Sequence, residues 1–95
     1  MTLQPLTDAQ RVRIFQTLSD EKRIEIIRFL KNIERPPICG EVGQSLGISK
    51  SNSSYHLKLL SEAGLVNIRK EGVQKHIRLN LDTFEAYLPG FLATL

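Results

Sequence analysis

Cysteine is nearly missing from this 95-residue sequence: a single thiol, Cys39, stands alone, so no internal disulfide can form. Such a chain is expected in a reducing compartment, the cytoplasm. Tryptophan is absent, and no apolar run approaches the roughly 18 residues of a membrane span, so no membrane partner is expected. The first ten residues lack a basic stretch followed by an apolar core, the pattern of a secretory signal. There is no glycine-rich phosphate loop, nucleophile elbow or acid–base cluster, and an enzyme is not expected. A metal site needs about four donors, and soft metalloids need clustered thiolates. One cysteine and two separated histidines, with none after Leu81, supply neither, so no metal and no cofactor are expected.

What is present fits one domain spanning 1–95, too short for two, with an ordinary 41% of hydrophobic residues. The net charge of +3 is modest, but it is unevenly placed. Residues 65–80 hold Arg69, Lys70, Lys75 and Arg78 against Glu71 alone, a balance of +3, whereas residues 81–95 carry −2. Charge concentrated on one short element points to a polyanion, although a merely solvated hairpin would read the same way in isolation.

Periodicity divides the chain into elements. Thr7 and Gln10 have capping-box spacing, and Ala9, Val12, Phe15 and Leu18 follow at helical intervals over 7–18. Ser19-Asp20-Glu21 opens a second helix with a wide apolar face, expected to run until Pro36-Pro37. A short third helix over 38–46 stops at Gly47, and Ser49 caps a fourth that reaches about Ala63. Gly47-Ile48-Ser49 is the tight, glycine-containing turn of a helix-turn-helix. Beyond Gly64 the period becomes two. Val66 and Ile68, then Val73, Ile77 and Leu79, alternate with polar residues around a Glu71-Gly72 turn, which predicts a β-hairpin. Asp82 and Glu85 then repeat the capping-box spacing, predicting a last helix over 82–95 that Pro89-Gly90 kinks or shortens. The fold class is therefore mainly α with a small β-hairpin, a winged helix-turn-helix of order α-α-α-α-β-β-α.

Two stretches carry a resemblance. Ser19-Asp20 with Arg23 and Ile24 to Ile27 resembles the second-helix signature of the ArsR/SmtB (arsenic-repressor) family. Ser54-Tyr55-His56-Leu57-Lys58-Leu59-Leu60, followed by Glu62-Ala63-Gly64-Leu65-Val66, is similar to that family's recognition-helix signature. The resemblance covers roughly residues 7–81. It implies that the fourth helix enters the DNA major groove, that the wing touches flanking backbone, and that the terminal helices form a dimer. Ser53 stands where that family usually has a branched apolar residue, which predicts looser packing beneath the helix. Tyr55 stands where arginine is frequent, so the contact there differs.

The fourth helix supports the same reading from its own residues. Ser53, Leu57 and Leu60 share a core-facing stripe, and the N-terminal half is small and rich in hydrogen-bonding groups. The expected double-stranded DNA contacts are Ser49, Lys50, Ser51, Asn52, Ser54, Tyr55, His56 and Lys58 from the helix. Arg69, Lys70, Gln74, Lys75 and His76 complete the set from the wing. His56 is expected to be half-buried, and His76 to lie on the wing's polar face. A homodimer is expected through Val12, Ile14, Phe15, Phe84, Tyr87, Leu88, Phe91, Leu92 and Leu95. The sum is a sequence-specific repressor binding an imperfect palindrome. Two alternatives remain at this point. One is a metal- or redox-responsive repressor using Cys39, whose place near a helix N-terminus would lower its pKa. The other is a winged-helix protein-interaction module that does not bind DNA.

Overall fold

The computed structural model describes residues 6–95, so residues 1–5 of the expected 1–95 domain lie outside the described part. Helix α1 (Asp8–Leu18) begins with the anticipated capping box. Thr7 Oγ1 accepts the Gln10 N–H at 3.2 Å, and Gln10 Oε1 accepts the Thr7 N–H at 2.8 Å. Helix α2 (Glu21–Asn32) starts at Asp20, whose carboxylate accepts the N–H groups of Lys22 at 2.8 Å and Arg23 at 3.2 Å. Ile26, Ile27 and Leu30 are buried along it, and α2 packs against α1, the third and fourth helices and the hairpin, which makes it the fold's central rod.

Helix α2 ends before the prolines that were expected to stop it. Ile33 is already extended, with ψ 137°, and residues 33–37 form a connection. Arg35 precedes Pro36, and the proline ring biases that position away from helix. Arg35 instead grips Glu41 with both ends of its guanidinium, Nη1 to Oε1 at 2.9 Å, tying the connection to helix α3 (Cys39–Leu46). This fork holds the Glu41 carboxyl below its ordinary pKa.

The turn between α3 and helix α4 (Lys50–Glu62) has the expected chemistry. Gly47 takes the left-handed conformation at φ +67°, where a side chain would be strained, and Ser49 Oγ accepts the Asn52 N–H at 3.2 Å. The two helices cross at Gly43 and Ser53, both buried. A Cβ built on Gly43 would stand 2.9 Å from Ser53 Cβ and 3.1 Å from the Ile48 carbonyl oxygen. The small residue at position 53 thus produces closer helix packing, correcting the expectation of a looser one.

Strands β1 (Val66–Glu71) and β2 (Gln74–Leu79) pair antiparallel, with Ile68 opposite Ile77 and Glu71 opposite Gln74. The turn is therefore Gly72-Val73, one residue later than expected. Gly72 at φ +66° before a residue of negative φ is the type II′ arrangement. Val73 sits at the tip, 95% exposed, and is no part of the inward-facing stripe. The outer edge of β2 is covered too: the Ile77 N–H donates to the Pro37 carbonyl at 2.9 Å, and Ile38 bridges His76.

Helix α5 (Leu81–Tyr87) is capped by Asn80, whose Oδ1 accepts the Thr83 N–H at 3.4 Å, rather than by Asp82. The expected 82–95 helix is broken: Leu88 leaves the helix, Gly90 adopts φ +83°, and Leu92–Thr94 form a single 3₁₀ turn. This tail folds back on its own protomer. Phe91 stacks on Phe84 with ring centroids 6.1 Å apart, and Lys31 Nζ donates to the Leu92 and Leu95 carbonyls at 2.8 and 3.0 Å. The core gathers Ile14, Ile26, Ile27 and Leu30 with Val42, Leu57, Leu60, Leu65, Val66, Ile77 and Phe84. Each such side chain contributes about 1.5–3 kcal/mol when fully buried.

Candidate nucleic-acid interface

Burial of Ser53, Leu57 and Leu60 fixes which face of α4 points outward. Ser49, Lys50, Ser51, Asn52, Ser54, Tyr55 and Lys58 are all exposed, and Tyr55 keeps 57% of its surface free. The first turn of α4 thus presents one ammonium and several hydroxyl and amide groups beside free backbone N–H donors, a set suited to phosphate and base edges. Lys58 lies 3.9 Å from Glu62, so its charge is partly answered within the helix.

His56 is half-buried, as anticipated, and its partner comes from α2. Arg23 Nη1 lies 3.1 Å from His56 Nδ1, while Arg23 Nε donates to the Thr17 carbonyl at 2.6 Å. The same guanidinium stands 3.8 Å from Asp20, and its side chain is only 12% exposed. Partial burial pushes the Asp20 carboxyl up, but the Arg23 N–H, the Arg23 charge, the Lys22 N–H and His56 together hold it below its ordinary value. One arginine therefore ties the end of α1, the cap of α2 and the middle of α4. In the sequence Arg23 is marked by the family signature and by Asp20 three residues before it, and neither points to His56.

On the wing, Arg69, Lys70, Gln74 and Lys75 are exposed, and Lys70 stands directly opposite Lys75. Among the described residues neither lysine nor Arg69 has an acidic partner. Like charges directly opposed destabilise a hairpin, so the lysine pair costs folding energy in the absence of an anion. Arg78 differs: Glu71 lies 3.9 Å from it and 3.6 Å from His76 Nδ1. His76 is expected on the wing's polar face, yet its side chain is 23% exposed and its Nδ1 is buried without a hydrogen-bond partner among the described residues. The backbone bridge to Ile38 draws it inward.

The residues expected at a dimer contact separate into three groups. Ile14 and Phe84, at 4% and 1% exposed, belong to the protomer's own core and are not available to a partner, because both are buried in the cluster built around Ile26, Ile27, Leu57 and Leu60. Leu88, Phe91, Leu92 and Leu95 are half-buried against that core, and Tyr87 is half-buried on α5. Val12 and Phe15 remain open at 52% and 61%, and a cavity of about 440 Å³ between α1, α5 and the end of α4 is lined by Ala9, Arg13, Glu62 and Tyr87.

Among the described residues no three histidine, cysteine or acidic side chains converge as a metal site would require, and no helix is long and apolar enough to cross a membrane. Cys39 is half-buried at the start of α3. Desolvation pushes its thiol pKa up, outweighing the Lys75 charge and its own N–H, which corrects the expectation of a lowered value.

Residues 6–69 match a family model described as a helix-turn-helix domain. The chain is 48% identical over 95 residues to the uncharacterised HTH-type transcriptional regulator YceK of Bacillus subtilis, covering all of this chain and 95% of that protein. It is 35% identical over 69 residues to the arsenical resistance operon repressor of Escherichia coli, covering 73% of this chain and 58% of that one. The fold is similar to the homodimeric winged helix-turn-helix DNA-binding domain Mb0332 of Mycobacterium bovis, with a TM-score of 0.67 at 26% identity, covering 83% of this chain and 75% of that one.

Proposed function

This chain belongs to the ArsR/SmtB family of winged helix-turn-helix transcriptional regulators, and we propose that it is a homodimeric repressor that binds an imperfect DNA palindrome. The observation that carries this reading is the pairing of two surfaces. The exposed first turn of α4 offers base-reading groups, and the wing beside it holds Arg69, Lys70 and Lys75 without acidic partners among the described residues. In this reading α4 lies in the major groove and the wing cations meet phosphates alongside. Phosphate contacts position the protein, and Asn52, Tyr55 and Lys50 supply the discrimination between base pairs.

The second copy docks on Val12 and Phe15, the exposed apolar residues of α1, together with the half-buried Tyr87 of α5. Two-fold symmetry then presents two recognition helices about one DNA turn apart. The similarity to a homodimeric DNA-binding domain supports a homodimer. The protein acts in the cytoplasm, needs no metal or cofactor to bind DNA, and performs no catalysis. The raised thiol pKa and partial burial of Cys39 argue against a thiol switch as its control.

The test is selection of duplexes from a randomised pool, followed by anisotropy titrations over a salt series. The expected result is an enriched palindrome bound at about 10⁻⁸ M or tighter at physiological salt, unchanged by chelator. Binding that is equal for enriched and random duplexes overturns the reading.

A further inference from the structure

The contact between Arg23 and His56 determines more than the position of the recognition helix. A guanidinium has donors and no acceptor, so at 3.1 Å the Nδ1 of His56 must be the accepting atom. A neutral ring that accepts at Nδ1 carries its proton on Nε2. Among the described residues Nε2 has no hydrogen-bond partner, and it is not one of the two buried orphan atoms, Ser53 Oγ and His76 Nδ1. It therefore keeps solvent-accessible surface, next to the exposed Tyr55, whose ring centroid is 5.9 Å from that of His56.

We infer that Arg23 is a positioning residue that makes His56 a fixed outward donor, and that His56 Nε2–H binds a DNA backbone phosphate. This deepens the DNA-binding reading and rests on it. A phosphate is the acceptor that fits. His56 follows the exposed first turns of α4, is half-buried, and sits on the flank held by α2; flank donors meet the backbone while the N-terminal turns meet base edges. The support behind the ring is rigid because Arg23 is anchored independently by the Thr17 carbonyl at 2.6 Å and is almost wholly covered. A donor whose direction is set before binding loses little freedom when the phosphate arrives.

Two measurements test this. In long-range proton–nitrogen correlation spectra of labelled protein, recorded above the histidine titration range, His56 should show a bare Nδ1 and a protonated Nε2. Arg23→Lys keeps the charge but not the fork, and should shift the ring to a mixture of tautomers. The second measurement uses a duplex enriched by the protein from a randomised pool, remade with a methylphosphonate at each phosphate in turn. One replacement should weaken the wild type about ten-fold, and His56→Ala should show the same loss on the natural duplex with no further loss at that phosphate. His56→Gln places an amide donor near the Nε2 position and should bind within about three-fold of wild type, whereas His56→Asn should behave like His56→Ala. A proton on Nδ1, or identical methylphosphonate profiles for wild type and His56→Ala, overturns the inference while leaving DNA binding intact. Failure to enrich any duplex overturns the DNA reading and the phosphate contact with it.

Discussion

Gly43 and Ser53 meet where the two helices of the helix-turn-helix cross, and a single added methyl at Gly43 would lie 2.9 Å from Ser53 Cβ. The Ser53 hydroxyl is buried there without a hydrogen-bond partner among the described residues. Both residues are small for steric reasons, and the polarity of the Ser53 side chain serves no hydrogen bond among the described residues.

Gly43→Ala should therefore destabilise the fold by about 1–3 kcal/mol through overpacking, offset in part by the roughly 1 kcal/mol gain in helix propensity. Ser53→Ala should be neutral or stabilising, since it removes an unsatisfied buried group without leaving a partner behind. Urea unfolding of the two variants measures both. A Gly43→Ala protein more stable than the parent would refute the crossing geometry.

The wing predicts opposite effects on folding and binding. Lys70→Glu places an acid opposite Lys75 and should stabilise the hairpin by about 0.2–1 kcal/mol. The same change should sharply weaken binding to every duplex. Lys75→Ala should lower the slope of log affinity against log salt by about one, without changing which sequence is preferred. Melting curves and salt titrations on the same variants decide the matter. Unaltered salt slopes would remove the wing from the interface.

Acid should loosen the junction of α1, α2 and α4. Asp20 is held below its ordinary value, so its folded carboxylate contributes stability above the ordinary carboxylate range. The contribution disappears as pH falls through the lower folded pKa. Glu41, held low by Arg35, acts in the same direction. Asp20→Asn keeps a competent helix cap but removes the charge, so its stability should fall less steeply on acidification than the parent's. Parallel urea titrations at neutral and acidic pH read this difference, and equal acid sensitivity would contradict it.

Dimerisation should respond to α1 more than to the C-terminal tail. Phe15→Glu with Val12→Glu should raise the dimer dissociation constant by about two orders of magnitude, as loss of a buried aromatic anchor does. Phe91→Glu should mainly destabilise the protomer, because Phe91 stacks on Phe84 within the same chain. Analytical ultracentrifugation with parallel melting curves separates the two effects; a dimer indifferent to the α1 pair would exclude that surface.

Local chemistry made most of the architecture legible in the sequence. Thr7, Asp20, Gly47 and Ser49 each announce a helix end by a residue type whose physics belongs there, and all four occur in that role. The misplacements arise where distant contacts choose between equally good local options. Asn80 and Asp82 are both capable caps, and the Asn80 N–H bond to the Leu65 carbonyl at 2.9 Å fixes Asn80 at the boundary. Ile14 and Phe84 looked like surplus apolar surface because periodicity does not reveal which helix face meets the core. The exposed half of α4 followed directly from its buried stripe. The role of Arg23 was hidden, since His56 lies thirty-three residues further along the chain.

The bridge between Ile38 and His76, with the Ile77 N–H on the Pro37 carbonyl, fastens the base of the wing to the start of the helix-turn-helix. The wing is thereby braced like a jaw against the start of α3, facing the jaw formed by α4. In the proposed complex a calliper braced in this way resists adjustment to the duplex. DNA whose backbone spacing matches the gap is gripped without distortion, and DNA that does not match must bend to fit, at a cost that depends on how readily its base steps deform. Base pairs that no side chain touches would then still affect affinity, through their stiffness alone.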